Sequence, residues 1–155
     1  METILTANPF GFLKNPQGLL TKAWENNKED GSSTFVVVTL PSDENKIYTS
    51  YVGDSGYCIL RLDSNAEQKV ALIHESTPQQ REFNFPYQLG WGRNGDHAEV
   101  ALNFTHEVKN GDLIILGTDG LFDNITPLSV LLFFSDLQIS ERRDRRRQFQ
   151  FAKPS

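Results

Sequence analysis

The chain has 155 residues, of which 38% are apolar, and it carries a formal net charge of -5. This length and apolar content suffice for the core of one globular domain. The acidic balance argues against nucleic acid or an anionic membrane as a partner of the folded body, because both reward a basic face.

The cysteine count and the hydropathy pattern limit the covalent links, the metal sites and the cellular locations that the sequence predicts. Cys58 is the only cysteine, so neither an internal disulfide nor a cysteine-cluster metal site can form, and its expected role is to fill the core. No apolar run reaches membrane-spanning length, and neither a signal peptide nor an Arg-rich presequence follows Met1. We therefore expect a soluble, intracellular protein without a membrane partner.

The first predicted element is a short helix. Apolar residues follow the i, i+1, i+4, i+5 spacing of an amphipathic helix at Leu19, Leu20, Ala23 and Trp24. The pattern predicts a helix from about Gln17 to Asn26. Residues 1–30 are accordingly expected to be an N-terminal helical lead-in.

Strand patterns dominate the next stretch. Thr34 to Leu40 is β-branched and aromatic, which predicts a central strand. A turn cluster follows, and Lys46 to Val52 alternates as a second strand, so the two are expected to form a hairpin. Gly53-Asp54-Ser55-Gly56 interrupts an apolar pattern that resumes from Tyr57 to Leu62. This predicts a bend or bulge, with Asp54 fixed by glycine.

A long irregular segment comes after a strand predicted from Lys69 to His74. Periodicity fails between Glu75 and Glu99, and a connection of that length is usually functional or mobile. Gly90-Trp91-Gly92-Arg93-Asn94-Gly95 spells GxGxxG, but no strand pattern leads into it and no helix pattern leaves it. We predict a flexible flap loop there. Its Arg93 either approaches a substrate phosphate or is an ordinary exposed loop residue.

Two further strands and a helix are predicted next. Val100 to Val108 alternates as a half-buried strand, and Asn110-Gly111 predicts a hairpin into Leu113 to Leu116. The uninterrupted apolar run from Leu113 to Leu116 is typical of a strand buried on both faces. Thr126-Pro127 is a good helix start, with Thr at the N-cap and Pro at the first helical position. The buried stripe of that helix would be Leu128, Leu131 and Leu132.

The remaining residues include a basic run and form the end of the chain. Residues 139–155, with five arginines between Glu141 and Arg147, are expected to lack fixed structure, although binding of nucleic acid or an acidic partner stays open. Six or so strands and two helices without an internal repeat predict an α+β fold. The histidines are expected to be structural or exposed residues without a catalytic role; they are His74, His97 and His106.

Two aspartates follow the last apolar run. Gly117-Thr118-Asp119-Gly120 ends the predicted strand, so Asp119 is expected at the exit of a core strand, where an unpaired carboxylate is costly. Asp123 follows closely enough to share a cation with it. The residues alone favour a metal ion and a hydrogen-bonded turn about equally.

Three motifs occur in a fixed order along the chain. They are Gly31-Ser32-Ser33-Thr34, Val52-Gly53-Asp54-Ser55-Gly56, and the stretch from Gly111-Asp112 to Thr118-Asp119-Gly120-Leu121-Phe122-Asp123. This order resembles the type 2C metal-dependent (PPM-type) protein phosphatases, over roughly Leu19 to Leu132. Asn84 to Leu89 and the form LFDN are similar to the branch with the mitochondrial and SpoIIE-related members. The resemblance makes residues 31–138 the central part of such a domain.

The resemblance implies a partial sandwich of two antiparallel sheets flanked by helices, with a dinuclear Mg²⁺ or Mn²⁺ centre between the sheets. By the same resemblance Asp119 is a core metal ligand and the catalytic residue, while Asp54 and Asp123 help hold a further, weaker cation. Carboxylate oxygens suit such hard cations. The implied reaction is attack of a metal-activated water on a phosphoserine or phosphothreonine of a phosphoprotein substrate.

Two parts of the family pattern have no counterpart in this sequence. Nothing before Leu19 supplies the family's phosphate-gripping arginine or the Asp-Gly pair whose aspartate bridges both metals, and Asp30-Gly31 is no substitute because its glycine opens the first motif. The closing Asp-Asn is also missing, since neither Asp136 nor Asp144 precedes a strand pattern. We therefore expect a fragment, a shortened isoform or a pseudophosphatase. The alternative function is a non-catalytic module that keeps the sandwich core and binds a phosphoprotein or a partner phosphatase. The branch resemblance permits a mitochondrial location.

Overall fold

The structure, a computed structural model, describes residues 11–62, 70–93, 95–126, 129–130 and 133. Three sequence predictions lie outside these residues: the basic tail at 139–155, the turn at 63–68, and the leucine stripe at positions 128, 131 and 132. The N-cap prediction for Thr126 is confirmed, because its Oγ1 accepts a hydrogen bond from Ser129 N at 3.2 Å.

Strands make up most of the described elements, and α-helices occur near the two ends of the described part of the chain. In chain order they are α1 (Pro16–Asn26), β1 (Gly31–Ser33), β2 (Phe35–Thr39), β3 (Lys46–Val52), β4 (Gly56–Leu62), β5 (Val70–Glu75), β6 (Gln80–Glu82), β7 (Phe85–Pro86), β8 (Leu89–Trp91), a 3₁₀ turn (Ala98–Val100), β9 (Leu102–Glu107), β10 (Leu113–Gly117) and α2 (Asp119–Phe122). Within the described ranges no helix is long and apolar enough to cross a membrane.

Two three-stranded antiparallel sheets form the framework. One has the strand order β2-β3-β9 and the other the order β10-β4-β5, while two short ribbons pair β1 with β8 and β6 with β7. The predicted hairpin is confirmed, because β2 pairs antiparallel with β3. The expected α+β fold with two antiparallel sheets and few helices is likewise confirmed.

The main core lies between the two sheets. Strand alternation turns every second side chain of β3 and β4 toward the opposite sheet, and these residues are buried together: Ile47, Tyr51, Tyr57 and Ile59. Neighbouring strands add partly buried residues to the same cluster, among them Val36, Val38 and Ile114. The sheets are thus joined by one continuous apolar layer.

The outer face of each sheet carries its own cluster. On one side Leu20 of α1 packs with Val52, Ala98 and Ala101, and α1 begins at Pro16 because Asn15 Oδ1 caps Gly18 N at 3.1 Å. On the other side Cys58, Leu60 and Val70 are buried beside Phe122 and Val130. Cys58 therefore fills the core, as expected, and burial raises the pKa of its thiol to about 11.

Two predictions about the first hairpin are wrong. The strand predicted as central, Thr34 to Leu40, is the edge strand β2, because β3 takes the middle position between β2 and β9. The predicted bend or bulge in a continuing strand is instead the end of β3: Gly53 has φ +91°, and the chain crosses to the other sheet before β4 begins at Gly56. The turn is therefore a crossover between sheets.

The predicted hairpin at Asn110-Gly111 is also wrong. A turn exists there, with Gly111 at φ +91° and Asp112 N donating to Lys109 O at 3.0 Å, but β9 pairs with β3 whereas β10 pairs with β4. Arg61 fixes the turn through two hydrogen bonds to the Asp112 carboxylate at 2.8 and 2.7 Å. This guanidinium holds the pKa of the Asp112 carboxyl below its usual range. Asp112 thus has a structural task.

Burial of the last two strands differs from the prediction. β10 packs on both faces but is only partly buried: Ile114 contacts the core between the sheets, Leu113 and Ile115 contact the outer cluster, and Leu116 is 45% exposed. β9 is more exposed than half-buried, because five of its six residues are exposed. Apolar content alone overestimated burial because both strands lie at sheet edges, where only one neighbour covers each backbone.

Candidate metal site

The strand register brings two of the predicted aspartates to the same end of one sheet. β4 and β10 pair antiparallel, and their last matched residues are Gly56 and Gly117. Asp54 comes just before Gly56, and Asp119 comes just after Gly117. Residues far apart in sequence therefore leave one sheet end side by side, as a shared site requires.

The turn that carries Asp54 is held from several sides. Gly53 N donates to Gln79 Oε1 at 3.1 Å, and Gln79 N donates back to Gly53 O at 2.8 Å. The hydroxyl groups of Thr34 and Ser55 are hydrogen-bonded at 2.7 Å, so the first and second motifs touch directly. Asp54 itself is half-buried. Its carboxylate thus sits on a backbone with little freedom to move.

The segment with Asp119 folds back on the same sheet end. Thr118 is extended, and α2 begins at Asp119, whose Oδ1 accepts from Gly120 N at 2.8 Å. The helix lies tightly against β10, since a Cβ on Gly117 would be 2.5 Å from Leu121 Cδ2. Phe122 approaches Gly56, where a Cβ would be 3.9 Å from its ring. The second and third motifs are therefore neighbours as well.

The environment of Asp119 differs from the expected one. Asp119 and Asp123 are both exposed, so the large desolvation cost predicted for a core carboxylate does not arise. The reason is the position of β10: an edge strand delivers its last residues to the surface. The chain connects the two aspartates through Asp123 N, which donates to Asp119 O at 2.8 Å.

The donor chemistry suits a hard divalent cation, but the number of donors does not. Asp54, Asp119 and Asp123 offer only carboxylate oxygens, the ligand type that Mg²⁺ and Mn²⁺ prefer. In the described part of the chain, however, no three His, Cys, Asp or Glu side chains come close enough to hold an ion. These residues therefore supply part of a ligand set rather than a whole one.

Two histidines lie in the layer between the sheets, away from these aspartates. His106 Nε2 is 2.7 Å from the Tyr57 hydroxyl, which also accepts from Thr49 Oγ1 at 2.8 Å, and the rings of His74 and His106 are 4.2 Å apart. Burial raises the pKa of Tyr57 to about 12. Burial lowers the pKa of both His74 and His106. These contacts agree with the structural role expected of them.

Mild acid is expected to weaken the fold through this histidine pair. The folded-state pKa of each imidazole lies below the unfolded value of about 6.5, so the unfolded chain takes up protons first as the pH falls. The full free energy of unfolding is therefore present above about pH 6.5 and decreases between about pH 6.5 and the folded-state pKa. We expect the urea midpoint to drop between pH 7.5 and 5.5. His106→Gln should flatten this drop, whereas His97→Gln, at a mostly exposed histidine, should leave it unchanged. Equal pH profiles for all three proteins would contradict the assignment.

The irregular segment contains short strands and specific contacts with α1 that its missing periodicity did not predict. The rings of Trp24 and Trp91 stack at 4.5 Å, Trp24 Nε1 donates to Gly90 O at 2.8 Å, and Trp91 Nε1 donates to Trp24 O at 2.9 Å. β8 does lead into the GxGxxG sequence, contrary to the prediction, but only a 3₁₀ turn follows at residues 98–100. The loop is thus fastened to α1 by both indoles.

Sequence reasoning missed the residue that joins this segment to the site. Gln79 links Gly53 to the rest of the segment, because its Nε2 donates to Val100 O at 2.8 Å and its carbonyl accepts from Tyr87 N at 3.1 Å. A glutamine in a segment without periodicity gives no signal of such a role. Only the hydrogen bonds in the folded chain reveal it.

Several known proteins similar to this chain are described as phosphatases. It is 40% identical over 111 residues to the probable protein phosphatase 2C 55 of Arabidopsis thaliana, covering 72% of this chain and 22% of that protein. It is 39% identical over 127 residues to the putative protein phosphatase 2C 23 of Oryza sativa subsp. japonica, covering 79% and 37%. The X-ray structure of the photosystem II phosphatase PBCP matches with a TM-score of 0.68 at 30% identity, covering 80% of this chain and 48% of that one. No family model matches the sequence.

The matches cover different shares of this chain and of the similar proteins. The chain covers well under half the length of the two plant proteins and about half of the PBCP chain. The aligned part nevertheless takes up most of this chain, and the similarity in structure is close enough to include the sheet framework. The matches thus describe a portion of a larger domain.

Proposed function

Because this chain belongs to the type 2C protein phosphatase family and matches part of the length of its relatives, we propose that it takes part in the hydrolysis of phosphoserine and phosphothreonine in phosphoproteins. It would do so at a site with Mg²⁺ or Mn²⁺ to which it contributes Asp54, Asp119 and Asp123. The intracellular and mitochondrial locations stay predictions, as do the division at residues 30 and 138 and the assignment of the three aspartates.

One observation carries the proposal. The β4 and β10 register ends at Gly56 and Gly117, so the second and third motifs meet at one end of a sheet, and Thr34 joins the first motif to them through Ser55. A chance sequence resemblance would leave the three motifs scattered over the surface. Their convergence on one place supports a shared chemical task.

The residues present suggest how the chain takes part. A bound divalent cation would supply an activated water and neutralise charge on the phosphoryl oxygens. Asp54 is suited to a ligand role because Gln79 and Thr34 immobilise its turn, which lowers the cost of positioning a carboxylate. Asp119 is suited to it because its exposed carboxylate has only one hydrogen-bond donor, Gly120 N, among the described residues.

The deficit in ligands favours a second candidate function. The described residues bring no group of three metal-binding side chains together, so a chain that keeps the framework could bind a phosphoprotein without hydrolysing it. The two functions differ in a measurable way. Hydrolysis releases phosphate and requires a metal, whereas a binding module retains the phosphopeptide intact.

Asp119→Asn is expected to abolish most of the activity. The phosphatase hypothesis requires phosphate release from a phosphothreonine peptide with Mn²⁺ or Mg²⁺ and none with EDTA. On that activity the amide variant should lower kcat on the order of 100-fold, because a neutral oxygen donor holds a cation poorly. Asp30→Asn is the matched control: Asp30 is also exposed, and we exclude it as a ligand, so the activity of this variant should equal that of the wild type.

Binding of Mn²⁺, followed by the rise in melting temperature, gives a second readout on the same variants. The rise should shrink for Asp119→Asn and persist for Asp30→Asn. Absence of turnover at high metal concentration, together with metal-independent binding of the phosphopeptide, would replace the phosphatase by the binding module. Full activity in Asp119→Asn would show that the metal site is misplaced.

A further inference from the structure

A small cavity in the irregular segment lies apart from the three aspartates. Its volume is about 170 Å³. Polar side chains line much of it: Ser32, Arg81, Gln88, Arg93 and Asp96. Two guanidinium groups against one carboxylate leave it locally cationic, although the protein as a whole carries a net charge of -5. An anion drawn to this protein would therefore be drawn to this place rather than to the general surface.

Arg81 is already oriented within the cavity wall. Its Nη2 donates to Asp96 Oδ1, and its guanidinium lies over the Tyr87 ring at 4.5 Å. Asp96 is fixed in turn, because its Oδ2 accepts from Gln88 N at 2.9 Å. Only one guanidinium nitrogen of Arg81 has a hydrogen-bond partner among the described residues, so Nε and Nη1 remain as donors.

Arg93 carries the other guanidinium group that lines this cavity. It forms no ion pair or hydrogen bond with any residue that the structure describes. Its place is nevertheless defined: Gly92 before it has φ +89°, and the loop is closed by Gly90 N donating to Asp96 O at 3.1 Å and Asp96 N donating to Gln88 O at 2.7 Å. An arginine on such a loop, with no acceptor among the described residues, is available for an external one.

The cavity is mechanically connected to the turn of Asp54. Gln79 holds Gly53 by two hydrogen bonds and directly precedes β6, the strand that carries Arg81. Tyr87, which lies under Arg81, donates its backbone N–H to the Gln79 carbonyl and places its own carbonyl 2.4 Å from a Cβ on Gly53. The pocket wall and the turn that carries Asp54 are therefore joined through Gln79 and Tyr87.

We propose that this Arg81–Arg93 pocket binds a phosphomonoester group on a second phosphorylated residue of the substrate, next to the one that is hydrolysed. The inference rests on the proposed function and adds to it a preference for multiply phosphorylated segments. The planar fork of arginine matches phosphate oxygens in a bidentate way. The amide nitrogen of Gln88 adds a donor, since its Oε1 already accepts from Ser32 Oγ at 2.6 Å. No metal is needed for this contact.

Arg93→Gln tests the pocket, and binding in EDTA separates it from the metal site. We expect a phosphoserine peptide to bind the wild-type protein and the unphosphorylated peptide to bind much more weakly. Arg93→Gln should raise the Kd of the phosphopeptide about 10-fold, the effect of losing one charge-assisted contact. Lys109→Gln is the matched control, because it also removes one positive charge from an exposed residue. Lys109 follows β9 near the start of β3, whereas the pocket is connected to Gly53, just after the end of β3. This variant should change Kd less than about twofold.

Turnover with Mn²⁺ then identifies the source of the phosphate. For a doubly phosphorylated peptide Arg93→Gln should raise KM about 10-fold, while the KM of a singly phosphorylated peptide should stay unchanged. Equal weakening by Arg93→Gln and Lys109→Gln in EDTA would overturn the pocket, as would unchanged binding in Arg93→Gln. A phosphopeptide that binds no better than inorganic phosphate would overturn its assignment to a substrate residue. Absence of all turnover would count against the phosphatase alone, since the EDTA measurement does not depend on it.

Discussion

Gly53→Ala is expected to lower the free energy of unfolding by about 2 to 5 kcal/mol. Two separate costs add at this position. The backbone has φ +91°, which strains any residue with a Cβ, and that Cβ would lie 2.4 Å from Tyr87 O and 2.5 Å from Thr34 Cγ2. Neither neighbour can move cheaply, because one is backbone and the other is held by the hydrogen bond between the Thr34 and Ser55 hydroxyl groups. Urea unfolding followed by circular dichroism measures the loss.

Gly111→Ala separates the two costs. Gly111 has the same φ of +91°, but nothing lies within 4 Å of its Cβ position, so the variant should lose only the strain component, about 1 kcal/mol. A loss for Gly53→Ala no larger than that for Gly111→Ala would show that the crossover between the sheets is loosely packed. A larger loss would confirm that Asp54 rides on a rigid turn.

Ile59→Ala is expected to have an effect of similar size in the layer between the sheets. Ile59 is fully buried among Ile47, Tyr51 and Tyr57, and removing three carbons there should cost about 2 to 5 kcal/mol through lost transfer energy and a remaining cavity. Thermal or urea unfolding gives the value. The same deletion at Ile73, which is 41% exposed on β5, should cost about 1 kcal/mol or less.

The comparison between the two isoleucines tests the architecture itself. If the β2-β3-β9 and β10-β4-β5 sheets face each other as described, only Ile59 occupies their shared layer. Comparable losses in both variants would mean that Ile73 is covered in solution and that the layer between the sheets does not dominate stability.

Local signals predicted the elements well and their neighbours poorly. The helix at Leu19 to Trp24 and the hairpin across residues 41–45 follow from spacing and turn chemistry within a few residues, and both are present. The hairpin at Asn110-Gly111 failed because a turn signal specifies a change of direction, not which sheet receives the next strand. Long-range pairing decides that, and it leaves no local pattern.

The candidate site divides in the same way. The glycines around Asp54 and Asp119 predicted sharp turns, and the order of the motifs indicated the family. The exposure of Asp119 could not be predicted, because an apolar run looks alike in a central strand and in an edge strand such as β10. The roles of Gln79 and Arg81 depend on contacts across many residues, which no spacing rule encodes.

The stacked indoles of Trp24 and Trp91 are the only tryptophans in the chain. Intrinsic fluorescence therefore reports on the seam between α1 and the GxGxxG loop, whereas far-ultraviolet circular dichroism reports on the two sheets. Both signals should change at the same urea concentration if the loop detaches only when the whole domain unfolds. A fluorescence change at lower urea would reveal that the loop opens by itself, and the Arg93 pocket with it, while the sheets stay intact.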